Sequence, residues 1–200
     1  ILNPGLNRVI VEALDAGGNV IETTDLEVWY DDGDTMTVSG TLTGDTTLTA
    51  AGGPYLIDSD LVVPVGVTLT IEPGASFYFG QGVSLTVLGE LNALGTLHKK
   101  IQFTVEPGSG DTWDGLIFTN TTEDNRMGQL DQNFSTAASH SLEINNSQLT
   151  LEEVRWRGTT ETVIEANRPR MNVLNCDFPS SSGSEVIHGS NLSGSEYFNL

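Results

Sequence analysis

The chain has 200 residues, and its 27 Asp and Glu residues against 8 Lys and Arg residues give a formal net charge of −19 at pH 7. A surface this acidic repels nucleic acid and anionic membranes, so neither is an expected partner, and no apolar run is long enough to predict membrane insertion. The 22 glycines and the 38% of hydrophobic residues are typical of a turn-rich all-β protein, and no segment has the periodicity of an amphipathic helix.

Residues 1–32 predict a β-hairpin. Two alternating runs, RVIVEAL and VIETTDLEVWY, are joined by the tight turn DAGGN, in the manner of the last two strands of an immunoglobulin-like sandwich. A hairpin alone is only marginally stable in water. We therefore expect that the rest of its sheet lies upstream of residue 1, or that the hairpin packs on another surface.

Residues 33–54 are predicted to be a linker and the entry into the β-helix predicted for residues 55–200. At this junction the stretch YDDGDT clusters Asp31, Asp32 and Asp34. Calcium binds several oxygen ligands, and a short Asp-rich turn can supply them, so these three carboxylates are candidate metal ligands. The spacing is not that of an EF-hand loop, and the alternative is a solvated acidic linker.

Residues 55–200 predict a parallel β-helix. Between residues 61 and 103 most apolar side chains fall on odd-numbered positions, and short turns such as VPVG, EPG and GQG interrupt them. Strict alternation indicates short strands with one buried face. A longer repeat of about 22 residues relates Leu61 to Val83, Leu69 to Leu91, Phe79 to Ile101, Leu149 to Met171 and Trp156 to Phe178.

Three strands and three corners in each repeat correspond to one coil of a parallel β-helix, because such coils bury their inward side chains by stacking on one another. Six or seven coils fit into residues 55–200, and we expect the helix to be incomplete at its C-terminal end. The missing hexapeptide rhythm favours the right-handed form. An antiparallel sandwich is the alternative, but it requires Asn-Gly or Asp-Gly hairpin turns, which residues 61–104 lack.

Cys176 is the single cysteine, which excludes an internal disulfide framework. Its place in the alternating stretch MNVLNCDFP predicts a small core side chain rather than a catalytic thiol.

Three residues of the long polar interruption GSGDTWDGLIF are candidate contacts for a glycan or a protein partner. Asp111 and Asp114 offer carboxylates, and Trp113 either stacks on a sugar ring or covers the edge of the core. In β-helix lyases and hydrolases, carboxylates and a basic residue on one outer face bind calcium or act as acid and base. Here they lie on a loop rather than on successive coils, which fits that pattern loosely.

Half of the basic residues follow in EEVRWRG and NRPR, as Arg155, Arg157, Arg168 and Arg170. If they lie close together, they could bind an acidic sugar or the acidic surface of another copy of the chain. The alternative is that they form ion pairs across stacked coils.

Several longer stretches resemble a module of large secreted bacterial proteins of the planctomycete type. They include LNPGLNRVIVEALDAGGNV, TAAGGPYLIDSDLVVPVGVTLTIEPGASFYF, WDGLIF and FPSSSGSEVIHG. The resemblance implies an immunoglobulin-like segment that runs into a right-handed parallel β-helix, in proteins that also carry CotH-kinase-like and lamin-tail-like domains. Those further domains are not in these 200 residues, so the resemblance implies no catalytic residue.

These observations lead to a functional hypothesis of a non-enzymatic structural or adhesive module of an extracellular bacterial surface protein. Its partners would be other domains of the same long chain or other copies of itself, as in a filament, and a polysaccharide is a further candidate. The alternative is a polysaccharide-active lyase or hydrolase, or a carbohydrate-binding module. Fold alone does not decide between them. Calcium is the one cofactor that the residues suggest.

Overall fold

The computed structural model describes residues 2, 4–30, 33–136, 139–158, 162–179, 185–192 and 196–199. Apart from a short 3-10 helix at Ala50–Gly52, the regular elements of these residues are strands. They are β1 (Gly5–Leu14), β2 (Val20–Tyr30), β3 (Met36–Thr37), β4 (Gly40–Thr41), β5 (Thr46–Leu48), β6 (Tyr55–Ile57), β7 (Leu61–Val63), β8 (Thr68–Ile71), β9 (Ser76–Phe79), β10 (Ser84–Val87), β11 (Glu90–Leu94), β12 (Ile101–Thr104), β13 (Gly115–Thr119), β14 (Asn125–Asn133), β15 (Leu142–Asn145), β16 (Gln148–Arg157), β17 (Ile164–Asn167), β18 (Arg170–Leu174), β19 (Ile187–Ser190) and β20 (Tyr197–Asn199). None of the described residues forms a helix with the length and apolar character needed to cross a membrane.

The fold is an antiparallel hairpin followed by a parallel β-solenoid of about six turns, as predicted. Strands β1 and β2 pair with each other, and β3 to β20 pair in parallel with strands of the coils above and below. The parallel pairing excludes the antiparallel sandwich. Residues 33–54, predicted to be a linker and the β-helix entry, contribute β3, β4 and β5 to the first coil.

The solenoid wall has three faces. The first is a seven-stranded sheet in the order β19-β17-β15-β13-β10-β7-β4. The second contains β5, β8 and β11, and the third contains β3, β6, β9 and β12. The long strands β14 and β16 run around the corner between the second and third faces and belong to both. We call the third face the hairpin face.

The register confirms the predicted repeat at some positions and corrects it at others. Leu69 pairs with Leu91 as predicted. The predicted match of Leu61 with Val83 is wrong, because Leu61 pairs with Leu85. The predicted match of Phe79 with Ile101 is also wrong, because Phe77 pairs with Phe103 in the same parallel ladder, which leaves Ile101 two residues before the partner of Phe77. A shift by an even number of residues leaves every side chain on the same side of the sheet, so alternation cannot distinguish these registers.

The core is the inside of the solenoid, where apolar side chains of successive coils stack. Phe77 lies at a ring-centroid distance of 5.1 Å from Tyr55 and 5.2 Å from Phe103, and Phe79 stacks on Trp113 at 3.9 Å. Burial of one large apolar side chain stabilises a fold by about 1.5–3 kcal/mol. Cys176 is partly buried against this core, as predicted, and its burial raises the pKa of the thiol.

The corner after the first face is a ladder of residues in the left-handed backbone region. Asn120, Asn146, Arg168 and Asn191 have φ of 53, 47, 53 and 54°. The backbone N–H of Asn120 donates to Asn145 in the next coil (2.9 Å), and that of Arg168 donates to Ser190 (3.0 Å). Asparagine adopts this conformation at low cost, whereas arginine rarely does, so the backbone of the ladder is strained at Arg168.

The hairpin packs on the outside of the third face, in agreement with the expectation that it packs on another surface. Trp29 stacks on the outward ring of Tyr78 at 5.2 Å. Gly5, whose φ is +97°, lies so close to Ser76 that a Cβ atom would collide with it. All four residues of β9 and all four of β12 are therefore buried, whereas an uncovered wall buries every second residue. The far part of the hairpin, residues 10–27, is exposed.

Candidate functional site

Two clefts lie where the hairpin meets the hairpin face. The first, which we call the basic cleft, has a volume of about 250 Å³. Its lining residues are Arg8, Asp25, Glu27, Leu97, His98, Lys99, Lys100, Gln102 and Arg155. The cleft therefore gathers four of the eight Lys and Arg residues of a chain whose net charge is −19.

Asp131 is a buried carboxylate, with 1% of its surface exposed, that contacts three lining residues of the basic cleft. It accepts hydrogen bonds from Arg155 Nε (2.9 Å), Gln102 Nε2 (3.2 Å) and Lys100 Nζ (3.4 Å). Burial lowers the pKa of Arg155, but the hydrogen bond and charge of Asp131 outweigh it, so the pKa is raised. This carboxylate is thus fully engaged by cations and an amide of neighbouring coils.

The hairpin joins the same network from the other side of the basic cleft. Arg8 Nε donates to Asp25 Oδ2 (2.7 Å) within the hairpin, and Arg8 Nη1 donates to the carbonyl of Leu97 (2.9 Å) on the solenoid. Glu27 lies 3.6 Å from Arg155. Because most of these charges are already paired with one another, the arrangement is suited to docking the hairpin.

The second cleft, which we call the aromatic cleft, has a volume of about 640 Å³. It is lined by Trp29, Thr104, Val105, Glu106, Pro107, Gly108, Gly110, Asp111, Thr112 and Phe134. Phe134 is 48% exposed and has a φ of 61°, which is unusual for a bulky residue. A large cleft with aromatic walls and few polar groups is the common form of a small-molecule site.

The three candidate contacts of the GSGDTWDGLIF loop have different environments. Asp111 lines the aromatic cleft. Trp113 has 0% exposure, stacks on Phe79 and donates its indole N–H to Asn133 (2.7 Å), so it covers the core and cannot stack on a sugar. Asp114 is half-buried, and burial followed by the nearby charge of Asp60 raises the pKa of its carboxyl.

The four candidate arginines do not form one cluster. Arg155 lies near the far end of β16, whereas Arg170 pairs with Gln148 at the start of the same strand. Ion pairs across coils hold three of them, since Arg155 binds Asp131, Arg157 lies 3.4 Å from Asp177, and Arg168 lies 3.8 Å from Glu196. Ion pairs across stacked coils are the alternative to a binding cluster that the sequence analysis left open.

The predicted calcium ligands are only partly described. Asp31 and Asp32 lie outside the described residues, and Asp34 is exposed. In the described part of the chain, no group of three or more His, Cys, Asp or Glu side chains could hold a metal ion.

Residues that the sequence analysis did not single out form most of the aromatic cleft. Trp29 comes from the hairpin, Glu106 from the loop after β12, and Phe134 from a corner. A sequence signal does exist for Phe134, because this aromatic residue follows directly on the end of a strand, in NFS, among polar residues. No pattern in the sequence relates it to Trp29.

Comparison with known proteins gives a limited result. No family model matches the chain, and no solved structure matches it. A stretch of 73 residues, which is 36% of this chain, is 37% identical to part of the protein bark beetle of Drosophila melanogaster. The match covers 2% of the length of that curated relative.

Proposed function

We propose that this chain is a structural and adhesive module of an extracellular bacterial surface protein, in which the β-solenoid serves as a rigid scaffold. The observation that carries the proposal is the continuous stack of coils on one apolar core. Each coil contacts its neighbours through hydrogen-bonded ladders on three faces, which makes the solenoid a stiff, elongated support.

The docked hairpin supports the same role. It covers the polar outer residues of β9 and β12 and joins the solenoid through Arg8 and Trp29. Because the hairpin contacts several coils, it should oppose their separation in a scaffold that bears load. The high negative charge keeps such a module soluble and repels non-specific anionic partners.

A polysaccharide-active enzyme is the alternative. That function needs an acid and a base whose carboxyl groups flank a bound glycosidic bond. Glu106 and Asp111 are the two carboxylates of the aromatic cleft, and both belong to one exposed loop. Buried, positioned carboxylates are the better catalysts because burial tunes their pKa, so this loop favours binding over turnover.

Surface labelling of the source cells tests the proposal. An antibody against the folded chain should label intact, unpermeabilised cells. Labelling that appears only after lysis would contradict an extracellular role.

A turnover assay separates the scaffold from the enzyme. The chain should release no new reducing ends and no unsaturated products from a panel of neutral and acidic polysaccharides, with or without added calcium. Release that is lost on Asp111→Asn would overturn the proposal in favour of the enzyme.

The exposed hairpin strands favour self-assembly as a second part of the function. Val11, Leu14, Val20 and Ile21 are each more than half exposed on a two-stranded sheet with open edges. Open edges and exposed apolar side chains are a template for pairing with another copy. Sedimentation velocity over a concentration series should show association, and Ile21→Lys should reduce it.

A further inference from the structure

We propose that the aromatic cleft binds a neutral saccharide. Its volume of about 640 Å³ lies in the usual range for small-ligand sites, about 300–1,000 Å³. The walls come from two elements that are far apart in the sequence, the hairpin with Trp29 and the solenoid with Phe134. The inference goes beyond the scaffold function and does not depend on it.

Phe134 carries an aromatic ring at a position where the fold does not need one. Its φ of 61° is a conformation that favours glycine or asparagine. The backbone N–H of Phe134 donates to the carbonyl of Arg157 in the next coil (3.0 Å), and the residue after Arg157, Gly158, has a φ of 56°. The ring lies against Gly158, where an added Cβ would be 3.1 Å from it, and 48% of the residue is exposed. Strained residues are frequent at ligand sites, and the exposed part of this ring lines the aromatic cleft, where it can contact a ligand.

The polar groups of the cleft match the hydroxyl groups of a sugar. Glu106 and Asp111 supply carboxylate acceptors, and Thr104 and Thr112 supply hydroxyl groups. Apolar C–H faces of a sugar ring pack on aromatic rings, and its hydroxyl groups donate to carboxylates. Among the described residues, the lining contains no Lys or Arg. The charges of Glu106 and Asp111 therefore repel uronic acids, which favours a neutral sugar.

Trp29 makes the cleft dependent on the docked hairpin and also provides a signal for binding. The indole N–H groups of Trp113 and Trp156 are hydrogen-bonded in the core, at 2.7 and 3.0 Å. Trp29 is half-buried as a residue, and its indole N–H is buried without a hydrogen-bond partner among the described residues. A change in tryptophan emission on ligand addition therefore reports on Trp29.

The test is a titration of the full chain with four probes: cello-oligosaccharides, manno-oligosaccharides, oligomers of N-acetylglucosamine, and oligogalacturonate. Tryptophan fluorescence and calorimetry measure binding. We expect at least one neutral oligosaccharide to shift the emission to saturation, while oligogalacturonate does not. No response to any neutral probe, or a stronger response to oligogalacturonate, would overturn the inference.

Phe134→Asn is the decisive variant because it removes the ring and suits the left-handed backbone. It should fold at least as stably as the parent and should lose roughly tenfold in affinity for the neutral probe, as expected for one aromatic contact. Val65→Asn is the matched control, since Val65 is an 80% exposed apolar residue outside the cleft. Unchanged affinity in Phe134→Asn, or an equal loss in both variants, would place the sugar elsewhere.

Discussion

The two sides of β12 are both buried, but by different means. Ile101 and Phe103 point into the solenoid, where apolar side chains of other coils cover them. Gln102 and Thr104 point outward and are buried as well, because the hairpin lies across this face. Inner burial needs only apolar volume, whereas outer burial needs a partner for each polar group. Stacking of adjacent coils therefore buries the inside of the solenoid, whereas burial on its outside depends on the docked hairpin.

The largest effect is expected from the inner side. Phe103→Ala removes a fully buried ring that contacts the rings of Phe77 (5.2 Å), Phe79 (5.6 Å) and Trp113 (6.3 Å). The free energy of unfolding should fall by about 3–5 kcal/mol because a cavity remains. Urea denaturation followed by circular dichroism measures the change. A loss no larger than that of an exposed-residue variant would mean that the core is not packed as described.

A smaller loss is expected on the outer side. Asp131→Ala leaves Arg155 and Lys100 without the carboxylate that both contact. We expect a loss of about 2 kcal/mol, less than for a fully buried pair because water reaches both cations. Hydrogen exchange of the hairpin amides should also accelerate, since the network that docks the hairpin is broken.

Asp124→Ala is the control for Asp131→Ala. Asp124 pairs with Arg126 at 2.7 Å, but both side chains are more than half exposed. An exposed pair contributes about 0–1 kcal/mol. Equal losses in both variants would contradict a special role of Asp131 beneath the hairpin.

A corner position should allow a gain in stability. Arg168→Asn places asparagine at a corner position with left-handed backbone, between the equivalent positions Asn146 and Asn191 of the adjacent coils. The ion pair that it removes is long, at 3.8 Å, and Arg168 is largely exposed. The free energy of unfolding should rise by about 0.5–1 kcal/mol, as strain is relieved. A loss of stability in the same urea titration would show that the contact with Glu196 outweighs the backbone strain.

The smallest effect depends on pH. Burial and the charge of Asp60 raise the pKa of Asp114 in the folded chain above the usual value of 3.8. The folded state then binds the proton more tightly, so stability decreases as the pH rises from below 3.8 through the raised pKa. Asp114→Asn removes this loss.

Urea midpoints at several pH values test this prediction. The Asp114→Asn variant should be slightly more stable than the parent at pH 7 and nearly equal to it at pH 3, where the carboxyl is protonated in both states. An advantage at pH 3 that disappears at pH 7 would reverse the sign and contradict the expected direction.

The candidate site was less predictable than the fold. The sequence predicts both Asp111 and Trp113 as contacts, but only Asp111 lines the aromatic cleft, whereas Trp113 lies in the core. An aromatic residue in a polar loop gives the same sequence signal in either place. Residue type is also a poor guide to position at Gln132. This polar side chain is fully buried inside the solenoid, where it accepts a hydrogen bond from the indole N–H of Trp156 (3.0 Å).

The amino-acid sequence alone predicts the hairpin, the alternation of inward and outward residues and the stacked parallel coils, because each follows from neighbours in the chain or from a regular repeat. The register, in which Leu61 pairs with Leu85, and the docking of the hairpin on the third face follow only from the three-dimensional packing. A two-residue shift keeps the same side chains inside, so local patterning leaves the register open. The aromatic cleft exists only where Trp29 and Phe134 meet, and that meeting depends on packing between segments with no shared sequence signal.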